Sequence, residues 1–449
     1  MKLFEQIEKV LQGSSRFTVK TPISFSPPKV DFTPYQGFLI FWPFPNTAEA
    51  VYLFFQALND GVIPILEGPK MPEGKKKELR DAYPHFGLCK GSTISLPKDA
   101  VKGDKRLLFV LMTSGSTGTP KLIGASAKGI EKAVQAIDRA QGLQKVSSTA
   151  LLLPLCYSYA LVNQLFWSVY FEKTLVMPPP LTFPQNAFEF IQSTGAEMLC
   201  MVGSQIQMLR SMGFDQLKGW NRVKVVNFAG APFPIAHYES LKKWFPEARF
   251  INNYGCTEAM PRLTAGEVTD SNHPITYVGK PIGDIQLRIA GDEAGPIQFQ
   301  GSSTSLGTVQ KDGSVKENAE WIDTNDTGKL EKGGLHVFGR HDQVINIGGE
   351  RISLLEIEQA LLHCAMENSL VWTDEKGTLA IIQGAQEPSK EQISQVIKGY
   401  LTPIAWPKKI YWVSSWPVNA NGKTDRTWLQ QAAQEKNLKV LWESPYAEA

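Results

Sequence analysis

The sequence has almost no net charge: 46 Lys and Arg against 44 Asp and Glu leave +2 over 449 residues. A sequence-independent grip on nucleic acid needs clustered cations facing phosphates, and neither the balance nor any long Lys/Arg block supplies them. Nucleic acid is therefore not expected as a main partner. Cysteine is scarce and unpaired: Cys89, Cys156, Cys200, Cys256 and Cys364 are odd in number and form no C-x-x-C. That usage fits reduced thiols and a cytoplasmic location. The histidines do not stand at metal-ligand spacing to these thiols, so no structural zinc or iron site is expected. Internal repeats and low-complexity tracts are also missing, and the start, MKLFEQIEKVLQGSS, has acids among its apolar residues, which excludes a secretory h-region and suggests a short amphipathic helix. Charge is absent from Val146 to Phe171, a run long enough to cross a bilayer. Its Ser, Thr, Asn and Gln content and the break at Pro154 split it instead into a buried strand and a helix, so no integral membrane contact is expected.

What the chain does have is 43% hydrophobic and 20% charged residues, an ordinary globular balance. Short apolar runs alternate with amphipathic stretches up to about residue 340: Leu107 to Met112, Ala150 to Leu153, Glu197 to Val202, Val223 to Phe228 and Arg249 to Asn252. This is α/β patterning, and strands apolar throughout predict mostly parallel sheets covered by helices. Ligands in such sheets bind at the carboxyl ends of strands. Over about residues 275–340 shorter strands with turn residues predict a β-rich subdomain. The remaining residues predict a small α+β domain: helices at Ile352 to His363 and Lys390 to Tyr400, and strands at Ser369 to Thr373, Leu379 to Gln383 and Lys409 to Val413. The expected division is 1–341 and 342–449.

The strongest local signal is a buried strand running into Thr113-Ser114-Gly115-Ser116-Thr117-Gly118-Thr119-Pro120-Lys121. Glycines let backbone N–H groups converge on phosphate oxygens, hydroxyls add donors and Lys121 adds charge. It is not a P-loop, since Pro120 precedes the lysine and no Ser or Thr follows it. A solvated loop is the competing reading for this segment alone. Asn252-Asn253-Tyr254-Gly255-Cys256-Thr257-Glu258 places an aromatic ring, a hydroxyl and a carboxylate after a strand. Glu258 suits Mg²⁺ and Tyr254 a base, though a β-turn with a capping Thr-Glu would look the same. Asp326 in Trp321-Ile-Asp-Thr-Asn-Asp-Thr-Gly328 suits two ribose hydroxyls, or a turn. Gly339-Arg340-His341-Asp342, Gly348-Gly349-Glu350-Arg351 and Asn421-Gly422-Lys423-Thr424-Asp425-Arg426 follow.

In this order and spacing, and with Phe228-Ala-Gly230-Ala231-Pro232 among them, the segments resemble the acyl-adenylate-forming superfamily: acyl-CoA and aryl-CoA synthetases, adenylation domains of nonribosomal peptide synthetases, and firefly luciferase. The resemblance covers about residues 45–430. It implies a two-step reaction, in which a carboxylate attacks the α-phosphorus of ATP to give acyl-AMP and pyrophosphate, and a thiol then displaces AMP. The cofactors so implied are ATP and Mg²⁺, with CoA or the phosphopantetheine of an acyl carrier protein as acceptor and a small carboxylic acid as substrate.

By the same resemblance, Thr113 to Lys121 would hold the β- and γ-phosphates, Thr257 the α-phosphate and Glu258 the metal. Tyr254 would lie against adenine, Asn253 would contact its edge, Gly255 would follow in the same motif, and Gly230, Ala231 and Pro232 would line the other face. Asp326 and Arg340 would bind ribose. Lys423 would bridge the carboxylate and α-phosphate oxygens, where charge accumulates in the transition state. Asp342 would be the hinge that presents the Gly348-Gly349 loop to the thiol.

The chain departs from the pattern at Asn325, where Gly is usual, at Asn346, where many members carry Lys, and in the early arrival of the phosphate loop. Tyr157 would occupy the gating His position of Pro-Leu-Phe-His-x-x-Gly, or else pack as a core aromatic. Amino-acid-activating relatives place an Asp there, and an unpaired buried ammonium is costly. The expected substrate is therefore an aryl or short to medium acyl acid, in a pocket of Tyr157, Val202, Gly203, Gly230 and Gly255. Two other outcomes remain open at this point: an enzyme passing acyl-AMP to an amine or hydroxyl, and a degenerate nucleotide-binding module.

Overall fold

The computed structural model describes residues 2–69, 71, 73–113, 121–180, 184–203, 205–206, 209, 220–291, 294–340, 344–347, 350–364, 366–374, 377–401, 403–418, 424–435 and 437–444. The chain forms two compact units, one of residues 1–270, 278–288 and 298–324, the other of 271–277, 289–297 and 325–449. Residues 325–340, with 271–277 and 289–297, group with the second unit. The reason is local pairing: Gly334–Arg340 forms an antiparallel hairpin with Ile322–Glu331, from Asp326 opposite Arg340 to Glu331 opposite Gly334, and Tyr277 bridges to His336.

The first unit contains two sheets. One runs, among the described residues, in the order Thr18–Lys20, Thr174–Val176, Ser148–Ala150, Met198–Met201, Val225–Phe228, Arg249–Tyr254, Thr264–Val268 and Lys280–Pro281. Its first six strands are parallel and only the last two are antiparallel. The other sheet has Leu107–Thr113 parallel to Ile63–Glu67 on one side and antiparallel to Lys121–Ser126 on the other. The first sheet is therefore parallel except at one margin, whereas the second is parallel on one side of Leu107–Thr113, up to its antiparallel edge strand, and antiparallel on the other. The expected strand at Ala150 to Leu153 begins earlier and is shorter, because Pro154 and the turn before Ser158 end pairing there.

One apolar core joins the two sheets through helices laid between them. Phe54 and Phe55 of Ala48–Asn59, Ile130 and Ile137 of Ala127–Ala140, and Phe166 and Trp167 pack in the same cluster as Phe109, Met198, Val225 and Ile251. Each helix start has a local cause: Thr47 accepts from the Ala50 N–H and Ser126 from the Gly129 N–H, satisfying donors that a first turn leaves unpaired. The uncharged run is the expected strand plus helix. Its helix opens at Ser158–Ala160, widens into a π turn over Leu161–Phe166 and closes at Trp167–Tyr170. No helix among the described residues is long and apolar enough to cross a membrane.

In the second unit, strands Asn368–Asp374, Gly377–Gln383, Lys409–Trp412 and Lys439–Glu443 make one sheet. Strand alternation sends Val371, Ala380, Ile382 and Ile410 to one face, against Ile357 and Leu361 of Leu354–Leu362 and Ile393 and Ile397 of Lys390–Tyr400. Leu370, Trp372, Ile381 and Tyr411 go to the other face, against Leu429 and Ala433 of Arg426–Gln434.

Candidate active site

Parallel pairing puts three loops at one sheet edge. Met201 is in register with Phe228, and Phe228 with Asn252, so Val202-Gly203, Gly230-Ala231-Pro232 and Tyr254-Gly255 leave neighbouring strand ends. Gly230 has φ +78°, a conformation glycine adopts without strain, and a Cβ placed on it would lie 3.8 Å from Val202 Cγ1. Gly230 and Ala231 are exposed, and Tyr254 is half-buried. Thr257–Ala259 forms a short helical turn, tied down where the Ser305 N–H donates to the Glu258 carbonyl at 2.7 Å. Among the described residues the Glu258 carboxylate forms no ion pair, and a single carboxylate of this kind fits Mg²⁺ that takes its other ligands from phosphate and water.

Thr113 and Lys121 face each other across the last pair of their hairpin, with Lys121 exposed. The residues between them, including Ser114, Gly115, Ser116, Thr117 and Gly118, lie outside the described residues, as do Asp342, Gly348, Gly349 and Lys423. The flanks of Lys423 are described. Val418 bridges to Thr424, Trp416 Nε1 donates to Thr424 Oγ1 at 3.0 Å, and Asp425 caps the helix Arg426–Gln434 through the Trp428 N–H. Arg426 lies 3.7 Å from the mostly buried Glu358. In the same unit Arg340 Nε stands 3.2 Å from Asp326 Oδ1. Asn325 has φ +59°, a left-handed conformation that Asn tolerates.

Two sequence expectations are corrected by the packing. Asn253 is 2% exposed and its amide is committed: Nδ2 donates to Asn227 Oδ1 at 3.0 Å and to the Phe228 carbonyl, while Oδ1 accepts from Gln141 Nε2 at 2.9 Å. Its side chain points into the sheet's inner face, not toward a nucleobase. Gly255 does not open a pocket wall on its Cβ side, because that space holds the Pro261 carbonyl, 2.1 Å from where a Cβ would be. Tyr157 is 50% exposed, so it is not a packed core aromatic.

Sequence reading missed a buried polar group beneath the strand ends. Met198, Val225 and Ile251 belong to the apolar core, and two residues further along each strand the same face carries Cys200, Asn227 and Asn253. Asn163, on the π turn, accepts at Oδ1 from Arg262 Nη2 at 2.9 Å, and its Nδ2 donates to Cys200 Sγ at 3.5 Å. Tyr159 donates its hydroxyl to the Asn227 carbonyl at 2.9 Å, and the Arg262 guanidinium sits 4.9 Å from the Tyr159 ring centroid. Burial pushes the Cys200 thiol up to about 12 and raises the Tyr159 phenol well above its usual range, so both are neutral. The signal available in sequence was the interruption of apolar runs at Cys200, Asn227 and Asn253.

The sequence matches the AMP-binding enzyme family over residues 49–304. It is 27% identical over 374 residues to a D-alanine–D-alanyl carrier protein ligase of Bacillus anthracis, covering 76% of this chain and 73% of that one. The fold is similar to that of o-succinylbenzoate coenzyme A synthetase (MenE) from Bacillus subtilis in complex with AMP, with TM-score 0.75, 19% identity and coverage of 96% of this chain and 98% of that one. It is also similar to the anthranilate CoA ligase AuaEII in complex with anthranoyl-AMP, with TM-score 0.77, 18% identity and coverage of 97% and 98%. With more than half of its length inside the family match and these strand-end loops in place, the chain belongs to the AMP-binding enzyme family.

Proposed function

We propose that the chain is an AMP-forming acid:thiol ligase, which joins a carboxylic acid to AMP with release of pyrophosphate and then transfers the acyl group to CoA or to the phosphopantetheine of a carrier protein. The observation that carries the reading is the family match together with the register that gathers Gly230, Tyr254 and Thr257 at adjacent strand ends. Glu258 would hold Mg²⁺, which neutralises charge on the phosphates. Tyr254 and Gly230-Ala231-Pro232 would enclose the base, Thr113 and Lys121 would flank the phosphate loop, and Asp326 and Arg340 would take the ribose. Lys423 would stabilise the charge of the adenylation transition state, and Asp342 would be the hinge between half-reactions.

Two solved neighbours act on aromatic acids, succinylbenzoate and anthranilate by their names, whereas the curated relative acts on D-alanine. The residues beside the strand ends favour the former class. No acid lies between Val146 and Phe171, and the buried Arg262 cation reaches Asn163 of that run, where a substrate ammonium would be repelled. The enzyme works in the cytoplasm, without nucleic acid or membrane as partner. The test is ATP/pyrophosphate exchange with Mg²⁺ across benzoates, cinnamates, fatty acids and amino acids, followed by AMP release with CoA, holo-carrier protein or an amine. Exchange confined to amino acids would overturn the substrate class, and AMP release with amines alone would overturn the thiol acceptor.

A further inference from the structure

Among the described residues Arg262 is a buried cation without a counter-ion. It is 2% exposed, and among the described residues no carboxylate pairs with it. Its Nη2 reaches Asn163, but its Nε–H has no acceptor, and Asn227 Nδ2 in the same group is likewise a buried donor without a partner. The groups that face it, Tyr159 and Cys200, are held neutral by burial: the Tyr159 ring, 4.9 Å away, attracts the cation but neither group is a counter-ion. Burial itself acts against the guanidinium, lowering its pKa, yet an arginine side chain does not give up its proton. Leaving a desolvated charge and two donors unmatched is strongly unfavourable unless something else supplies the missing acceptors.

The position is also informative. Arg262 precedes the strand Thr264–Val268 and follows the Tyr254–Glu258 segment, whose register with the neighbouring strands forms the candidate adenylation edge. Asn163 belongs to a π turn, a widening of the helix that recurs at functional sites. Among Arg262, Asn163, Cys200, Asn227, Asn253 and Tyr159, only Tyr159 keeps appreciable accessible surface.

We propose that Arg262 is a specificity-determining residue that pairs with a second anionic group on the acid to be activated, so that the substrate is a dicarboxylic acid or an acid with an equivalent acidic substituent. A carboxylate offers several lone pairs and matches the fork of guanidinium donors, and it would supply acceptors for the unmatched Nε–H and Asn227 amide. This rests on the adenylation reading for the first carboxylate and adds the charge of the rest of the molecule.

The experiment uses the full chain and its Arg262→Met and Arg262→Lys variants with matched acids: benzoate against the benzenedicarboxylates, and hexanoate against adipate. In ATP/pyrophosphate exchange, wild type should prefer a diacid over its monoacid partner by about a hundredfold in kcat/KM, the scale on which losing one member of a desolvated charge pair is felt. The preference should collapse in Arg262→Met and return in part in Arg262→Lys. Thermal unfolding gives an independent readout: the preferred diacid should raise the Tm of wild type and not of Arg262→Met, and the unliganded Met variant should melt no lower than wild type, because a costly unpaired charge has been removed. Exchange with monoacids at least as fast as with diacids, in wild type and Met variant alike, would overturn the proposal while leaving adenylation intact. Exchange with no acid would count against adenylation, and the thermal shifts would still decide the charge pair. Equal shifts from monoacid, diacid and inorganic phosphate, or a lower unliganded Tm for Arg262→Met with unchanged selectivity, would make Arg262 a structural residue.

Discussion

Asp326 and Arg340 stand directly opposite each other on two paired strands, with Arg340 Nε 3.2 Å from Asp326 Oδ1. The carboxylate is mostly covered, its side chain 16% exposed, while the arginine is 60% exposed. A pair so open on one side adds little stability, so its effect is to orient Asp326. Asp326→Ala should therefore weaken ATP binding by about ten- to a hundredfold, the worth of hydrogen bonds to a charged group, and move Tm by no more than a few degrees. Titration of ATP against both proteins, with thermal unfolding as control, checks this; a large Tm loss with unchanged ATP affinity would make the pair structural.

Lys423→Ala should lower adenylation by two or more orders of magnitude, since one donor aimed at developing charge is worth about 10² to 10³ in rate. Pyrophosphate exchange measures this step alone. Undiminished exchange would remove Lys423 from the mechanism.

Asp342→Pro should impair thioester formation more than adenylation, because Pro fixes φ where a hinge must change it. Single-turnover measurement of acyl-AMP and of thioester separates the steps. Equal loss in both would exclude the hinge role.

Gly255→Ala places a methyl group where the Pro261 carbonyl stands, 2.1 Å from the ideal Cβ position. Backbone must move, at a cost of about 1–3 kcal/mol by analogy with overpacked cores. We expect a Tm several degrees lower and a loss of exchange activity, as Tyr254 and Thr257 flank the displaced residue. An unchanged Tm would show that the loop yields freely.

Glu358 gives the second unit a pH dependence. Burial raises its carboxyl pKa above the usual 4.5, with the Val371 N–H and Arg426 opposing the shift. A carboxyl whose folded pKa is raised holds its proton longer in the native state. Its contribution is full below the unfolded pKa and lost as pH rises through the folded one. Between pH 4.5 and neutrality, Glu358→Gln should therefore flatten the fall of stability with pH, and Arg426→Ala should steepen it. Thermal unfolding across this range decides; identical slopes for wild type and Glu358→Gln would refute the assignment.

The placement of two strand-end segments was legible in sequence because each is a local object: Gly230-Ala231-Pro232 and Tyr254 to Glu258 are contiguous residues after apolar runs. Helix Lys390–Tyr400 was equally plain, as its apolar period and the Ser389 and Gln392 cap are written within a few residues. The strand Lys439–Glu443 and helix Arg426–Gln434 were not anticipated, because few of their residues are buried, Trp442 in the strand and Leu429, Ala432 and Ala433 in the helix, and these gain meaning only against the sheet they cover or complete. Tertiary structure alone decided the orientation of Asn253 and the environment of Arg262. A strand residue's face depends on which helix covers it, and whether a charge is paired depends on every segment folded against it. Asn163, Cys200, Asn227 and Arg262 come from four separate segments, so no spacing along the chain relates them. Packing brings them together, and among the described residues packing pairs the guanidinium with no carboxylate.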